Sequence, residues 1–165
     1  MFYHKHNNRT NILNGIHIDE PMIFVPWGID ESGFTHMFSN HNISIVVGKN
    51  YFVKDVTIFG EQHCNIGVTF DKTMYSLGIS RDNCENDNSL KDKSIKTLGD
   101  FQAYLKKSFE DFQVALEISF GTPDKRAKIM GDFESCEWDI GERIKIHHYI
   151  ADRFGLAEYL FIEKG

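Results

Sequence analysis

A chain of 165 residues, 41% apolar and 25% charged, is long enough to bury one core without disulfide or metal staples. Its 24 acidic residues against 18 basic ones, a formal charge of −6, argue against nonspecific nucleic-acid binding and are compatible with a basic protein partner. No apolar run approaches the ~18 residues of a membrane helix, and 14 Phe exclude a disordered chain.

The first nine residues are polar and expected to fray. They hold no apolar run followed by a small-residue cleavage site, so no secretory signal is expected. The three cysteines, Cys64, Cys84 and Cys136, are odd in number and widely spaced. That usage predicts free thiols and a cytoplasmic location.

Residues 12–79 read as short strands. Residues 43–47 are β-branched and end at the turn Gly48-Lys49-Asn50, with 51–59 as the returning strand and Gly60 closing it. Residues 66–79 read as a hairpin with a four-residue loop, 71–74. This sets Ile66 against Ile79, Val68 against Leu77 and Phe70 against Tyr75, the register that buries most apolar surface. Residues 81–94 turn to Asn, Asp, Lys and Ser, the composition of a mobile loop.

Leu98, Phe101, Leu105, Phe109, Phe112 and Leu116 then step by three or four residues along one stripe. They predict a helix over 98–120, capped by Thr97 and stopped by Gly121 and Pro123. The remainder reads as a meander of strands 135–139, 143–150 and 156–162, with Cys136, Trp138, Ile144, Ile146 and Ile150 inward. A turn at 140–142 would set Asp139 against Arg143 and Glu137 against Lys145. The expected fold is α+β: a largely antiparallel sheet packed on one long helix. The domain is single, with a β-rich lobe over 12–80, the loop 81–94, and helix plus meander over 95–163.

Chemistry is thinly signalled. His147 and His148 are strand neighbours that point to opposite faces, so they cannot share a ligand; His148 is expected in the core and His147 outside. His63-Cys64 lacks the second short-spaced pair of a zinc site, and His4-Lys5-His6 reads as a solvated tail. Glu137 and Asp139 stand roughly 7 Å apart on one strand face, a carboxylate pair better explained by basic partners on the next strand. No nucleophile elbow, phosphate-binding glycine loop or zinc-protease helix occurs. No catalytic residue, metal or cofactor is therefore expected. Acidity gathers at Asp132, Glu134, Glu137, Asp139 and Glu142, with smaller knots at Asp19-Glu20 and Asp30-Glu31. The first five form the candidate partner-binding face, and Trp27 is a candidate aromatic anchor of it, with a place in the core as the stronger reading.

A long amphipathic helix ending in Phe120-Gly121-Thr122-Pro123, then a strand bearing Glu137-Trp138-Asp139, then a closing meander resembles immunity proteins of bacterial polymorphic-toxin and contact-dependent growth-inhibition systems. The resemblance covers residues 98–163. It implies an inhibitor in the cytoplasm that binds a toxin domain, often a basic nuclease; it carries over no individual site residue. Two rival expectations stand beside it. One is an enzyme or small-ligand-binding domain with a pocket between sheet and helix, lined by Phe109, Phe112 and Tyr149. The other is a plain oligomerisation module.

Overall fold

The computed structural model describes residues 6–41, 43–46, 48, 50–81, 97–128, 133–141, 143–152 and 156–165. A 3-10 turn (Asn11–Leu13) leads into a small hairpin, β1 (Gly15–Ile18) and β2 (Ile23–Pro26), and then a short helix, α1 (Glu31–Met37). Four strands follow: β3 (Ile43–Val46), β4 (Asn50–Ile58), β5 (Glu61–Phe70) and β6 (Met74–Arg81). After the long helix α2 (Leu98–Phe120) come β7 (Lys125–Lys128), β8 (Glu134–Ile140), β9 (Ile144–Asp152) and β10 (Leu156–Lys164). The strands from β3 onward form one eight-stranded sheet in the order β3-β4-β5-β6-β10-β9-β8-β7, and every pairing in it is antiparallel. The chain is thus α+β, and β6 beside β10 fuses the N-terminal strands and the C-terminal meander into one sheet.

The long helix forms where its stripe and caps place it. Thr97 and Asp100 make a reciprocal capping box, and Gly121 stops the helix at φ 78°, a conformation only glycine adopts without cost. Leu105, Phe109, Phe112, Leu116 and Phe120 are buried, whereas Leu98, at the first turn, remains 68% exposed. The N-terminal hairpin, α1 and α2 all feed a single buried cluster on one face of the sheet, its inner face. No helix among the described residues is long and apolar enough to cross a membrane.

Register departs from expectation at two turns. Ile66–Ile79 and Val68–Leu77 pair as the apolar pattern predicts, but Phe70 faces Met74. A bulge absorbs Tyr75, which stands 44% exposed, so the loop has three residues rather than four. In the meander Ile140 pairs with Ile144, so Asp139 faces Lys145 and Glu137 faces His147, two residues from the expected register. The turn falls on Gly141, at φ 58°, and this buries both isoleucines (2% and 1% exposed) where the expected turn would have lifted Ile140 out. The parity of the strands is as read: Cys136, Trp138, Ile146, His148 and Ile150 all point inward.

Phe59 and Gly60 form the β4–β5 turn with φ 54° and 75°, the signs that match a hairpin's own twist. Phenylalanine is costly there, and packing holds it: its ring is 5.6 Å from that of Phe120 and 6.1 Å from that of Phe112. The acidic pairs of the N-terminal half have local tasks. Asp30 caps α1 through Gly33 N–H, Glu31 accepts from the Tyr51 hydroxyl at 2.8 Å, and Asp19 accepts from Gly60 N–H at 2.8 Å.

Candidate functional site

Every described helix lies on the inner face, so among the described residues the outer face of the sheet is formed by strand side chains. Pairing registers align one row straight across it: Ser44, Phe52, Gly67, Gly78, Phe161, His147, Glu137 and Lys125. The two glycines are the key to its shape. A β-carbon at Gly67 would stand 2.8 Å from the Phe52 ring, and one at Gly78 would stand 3.0 Å from the Phe161 ring. Both rings therefore occupy the space a side chain would take, and the floor between them is an apolar groove of about 260 Å³ that also reaches Tyr159.

Beyond Phe161 the aromatic surface continues. Tyr159 and Phe161 lie 6.3 Å apart and 12° from parallel, and Tyr149 lies 5.6 Å from Tyr159 at 27°. His147 packs on Tyr149 at 4.2 Å. Phe52, Tyr159, Phe161 and His147 remain half-exposed, so the platform is accessible. Its far end opens into a second hollow, of about 400 Å³, walled by Phe161 and Tyr149 and edged by Glu137, Asp139, Glu163 and Lys145.

Around His147 the side chains also test for catalysis. Ser135 Oγ is 2.7 Å from His147 Nε2, and Glu137 Oε1 is 4.0 Å from that same nitrogen. A serine triad needs its carboxylate on the other ring nitrogen, to orient the base. It also needs free N–H donors beside the nucleophile, and Ser135 is a mid-sheet residue paired with Tyr149 and Ala127. Ser135 and His147 are thus a hydrogen-bonded pair on the outer face, with Glu137 beside it.

The predicted acidic face divides. Glu137 and Asp139 are on the outer face, where Lys125 lies 3.5 Å and 4.0 Å from them. Glu134 is on the opposite side: Arg126 contacts it at 3.5 Å and also pairs with Glu117 of α2. Alternation of side chains along β8 separates it from the other two. Asp132 and Glu142 lie outside the described residues. Trp27 is no surface anchor: it is 1% exposed and its Nε1–H donates to the Ile12 carbonyl at 2.7 Å. Sequence reasoning passed over Phe52, Gly67, Gly78, Tyr159 and Phe161. The signal present was the pairing of small with large outward residues on neighbouring strands, which becomes visible only once register is known.

The pocket expected between sheet and helix is filled at the residues named for it. Phe109 and Phe112 are buried, and Phe109 stacks on His148 with centroids 3.9 Å apart; Tyr149 points to the outer face. His148 is 0% exposed. Its Nδ1 meets Gln113 Oε1 at 2.8 Å and its Nε2 meets Glu158 Oε1 at 2.7 Å. Gln113 also donates its amide hydrogen to Glu117 at 2.9 Å. Ser108 donates to the other Glu158 oxygen at 2.7 Å and accepts from Arg81 at 2.8 Å; Arg81 also pairs with Glu61. Burial lowers the pKa of His148, against the pull of Glu158. This network pins α2 to β6, β9 and β10 and satisfies its own groups.

Cys64 and His63 occupy opposite sides of β5, one buried and one exposed, so they do not form a ligand pair. Among the described residues no group of three His, Cys, Asp or Glu side chains converges to hold a metal ion. No family model, curated protein or solved structure matches the chain.

Proposed function

We propose that this chain is a non-catalytic, immunity-type binding protein, acting in the cytoplasm, that neutralises a basic toxin domain by docking it on the outer face of the sheet. The observation that carries this reading is the near-parallel ladder of Tyr149, Tyr159 and Phe161 on a sheet whose described helices all lie on the other side. Tyr159 and Phe161 are half-exposed on a buried Tyr149, and exposed aromatic rings of this kind are what protein interfaces use as anchors. The net charge of −6 favours a basic partner. Buried, unpaired Cys64 and Cys136 suit a reducing compartment.

The test is to mix the chain with the toxin domain encoded beside it and follow gel filtration and toxin activity. The expected result is one co-eluting complex with the toxin inhibited, and at least a tenfold weaker complex for Phe52→Ala with Phe161→Ala. Separate elution, or a complex indifferent to both substitutions, overturns the proposal.

A further inference from the structure

We propose that the hollow between Phe161 and Glu137 is an arginine receptor: it takes the guanidinium of a basic partner segment, stacked on the aromatic wall and forked by carboxylates. The inference rests on the proposed docking face and names the group read there. Three carboxylates, on two strands, edge this hollow: Glu137 and Asp139 from β8 and Glu163 from β10. Its wall is the half-exposed ring of Phe161, 22° from parallel to the buried Tyr149 behind it, with His147 packed on Tyr149. Acid alone would attract any cation, and rings alone any apolar group. The two together select a flat cation that stacks while donating to oxygens in its own plane, which a guanidinium does and an ammonium does not.

Two lysines bound the affinity. Lys125 already lies within 4.0 Å of Glu137 and Asp139 at the sheet edge. Lys145 stands between Asp139 and Glu163 in the cross-strand row and is exposed. It is the internal competitor: its positive charge beside the same carboxylates opposes an arriving arginine. That competition turns the sign of one substitution into a test. If the hollow reads a cation, Lys145→Gln tightens binding; if it reads an anion, the same change weakens it.

The experiment uses the full chain, isotope-labelled for amide NMR, titrated with a blocked tetra-arginine peptide and with its lysine and citrulline counterparts. Expected are shifts confined to the facing stretches of β8, β9 and β10, with arginine binding at least threefold more tightly than lysine and citrulline giving none. Lys145→Gln should tighten the arginine peptide about threefold, the change that ~0.7 kcal/mol of removed competition gives. Glu163→Gln, a surface change that leaves the core alone, should weaken it by a similar factor. Equal binding of citrulline, shifts spread over the whole surface, or weakening by Lys145→Gln would each overturn the receptor. So would a doubled mass for the chain alone with the same amides displaced, since the face would then be a self-interface. A chain that holds its toxin domain but ignores the peptide loses the arginine receptor and keeps the docking face. A chain that reads the peptide but holds no toxin keeps the receptor and loses the partner.

Discussion

The ring of Phe161 lies over Gly78, with its Cε1 3.0 Å from where a β-carbon would stand, and Phe52 lies still closer over Gly67. Glycine in a strand interior normally weakens the sheet by about 0.5–1 kcal/mol relative to alanine. Here its use is to lower the two rings onto the backbone. Replacing both glycines by alanine should therefore leave the fold intact, with an unfolding free energy within about 1 kcal/mol of the parent. The same double variant should lift the rings and shift their NMR resonances. It should also weaken whatever docks on the platform. A variant that loses the fold, or one that keeps both stability and ring shifts, would mean the glycines do not shape this surface.

His148 supplies the pH dependence. Its pKa is lowered in the folded state, chiefly by burial, so the unfolded chain binds a proton there that the folded chain refuses. By linkage, stability must rise with pH across that window. The contribution of His148 is fully present above its ordinary value of 6.5 and is lost as pH falls below it. Urea midpoints measured between pH 8 and pH 5 should drop on the acid side. In His148→Gln the drop should shrink, while overall stability falls because Glu158 and Gln113 lose a shared partner. An unchanged acid slope in the variant would place the titration elsewhere.

The two described cysteines should resist alkylation. Burial pushes the Cys64 thiol up to about 12 and that of Cys136 to about 11. The reactive species is the thiolate, so near pH 8 neither supplies an appreciable nucleophile. Peptide mapping after iodoacetamide should find both unmodified in the native chain and both modified in denaturant. Rapid native labelling of Cys64 would show that the β4–β5 hairpin opens on the labelling timescale.

Phe59 sets local strain against packing. A left-handed phenylalanine costs about 1–2 kcal/mol, while deleting a buried Phe ring costs about 3–5 kcal/mol. The ring is 1% exposed and meets Phe112 and Phe120, so the packing side should win. Phe59→Gly should accordingly destabilise the chain by about 2 kcal/mol or more in urea unfolding. A neutral or stabilising result would show that the turn conformation, not the ring, dominates.

What was legible in the sequence was local. The stripe of α2, its Thr97 cap and its Gly121 stop all act within a turn or two of the residues they govern, and the helix begins and ends where they say. Parity along β8 and β9 was equally readable, because inward residues alternate whatever the partner does. Register was not: Ile140 could sit in the turn or in the strand without changing parity, and only the burial of Ile140 against Ile144 decides. The short helix α1 was present as Asp30 before Phe34, Met37 and Phe38, but seven residues give a weak period. β7 is exposed at every position and so carries no apolar signal at all. The candidate site was the least legible. Phe52, Gly67, Gly78, Phe161 and His147 come from five strands, and only the sheet order brings them into one row.

The acidic residues of β8 finally separate charge from face. Glu137 and Asp139 border the platform, whereas Glu134 reaches Arg126, which in turn holds Glu117 of α2. Reversing the first two to lysine removes two attractions at the hollow and sets two cations beside Lys125 and Lys145. Reversing Glu134 changes the net charge of the chain by half as much and does so on the helix side. If long-range attraction to an acidic protein is all that matters, association with the tetra-arginine peptide should weaken in proportion to the charge change, wherever it is made. If the outer face is the contact area, Glu137→Lys with Asp139→Lys should nearly abolish binding and flatten its salt dependence. Glu134→Lys should then leave affinity within about twofold, well below what loss of a direct charged contact gives. Its cost should appear as a small loss of stability instead, because Arg126, which also holds Glu117, would face a like charge. Titrations at two ionic strengths, with a thermal melt on each variant, read both effects. Equal losses of affinity per charge from the two variants would sink the face-specific account.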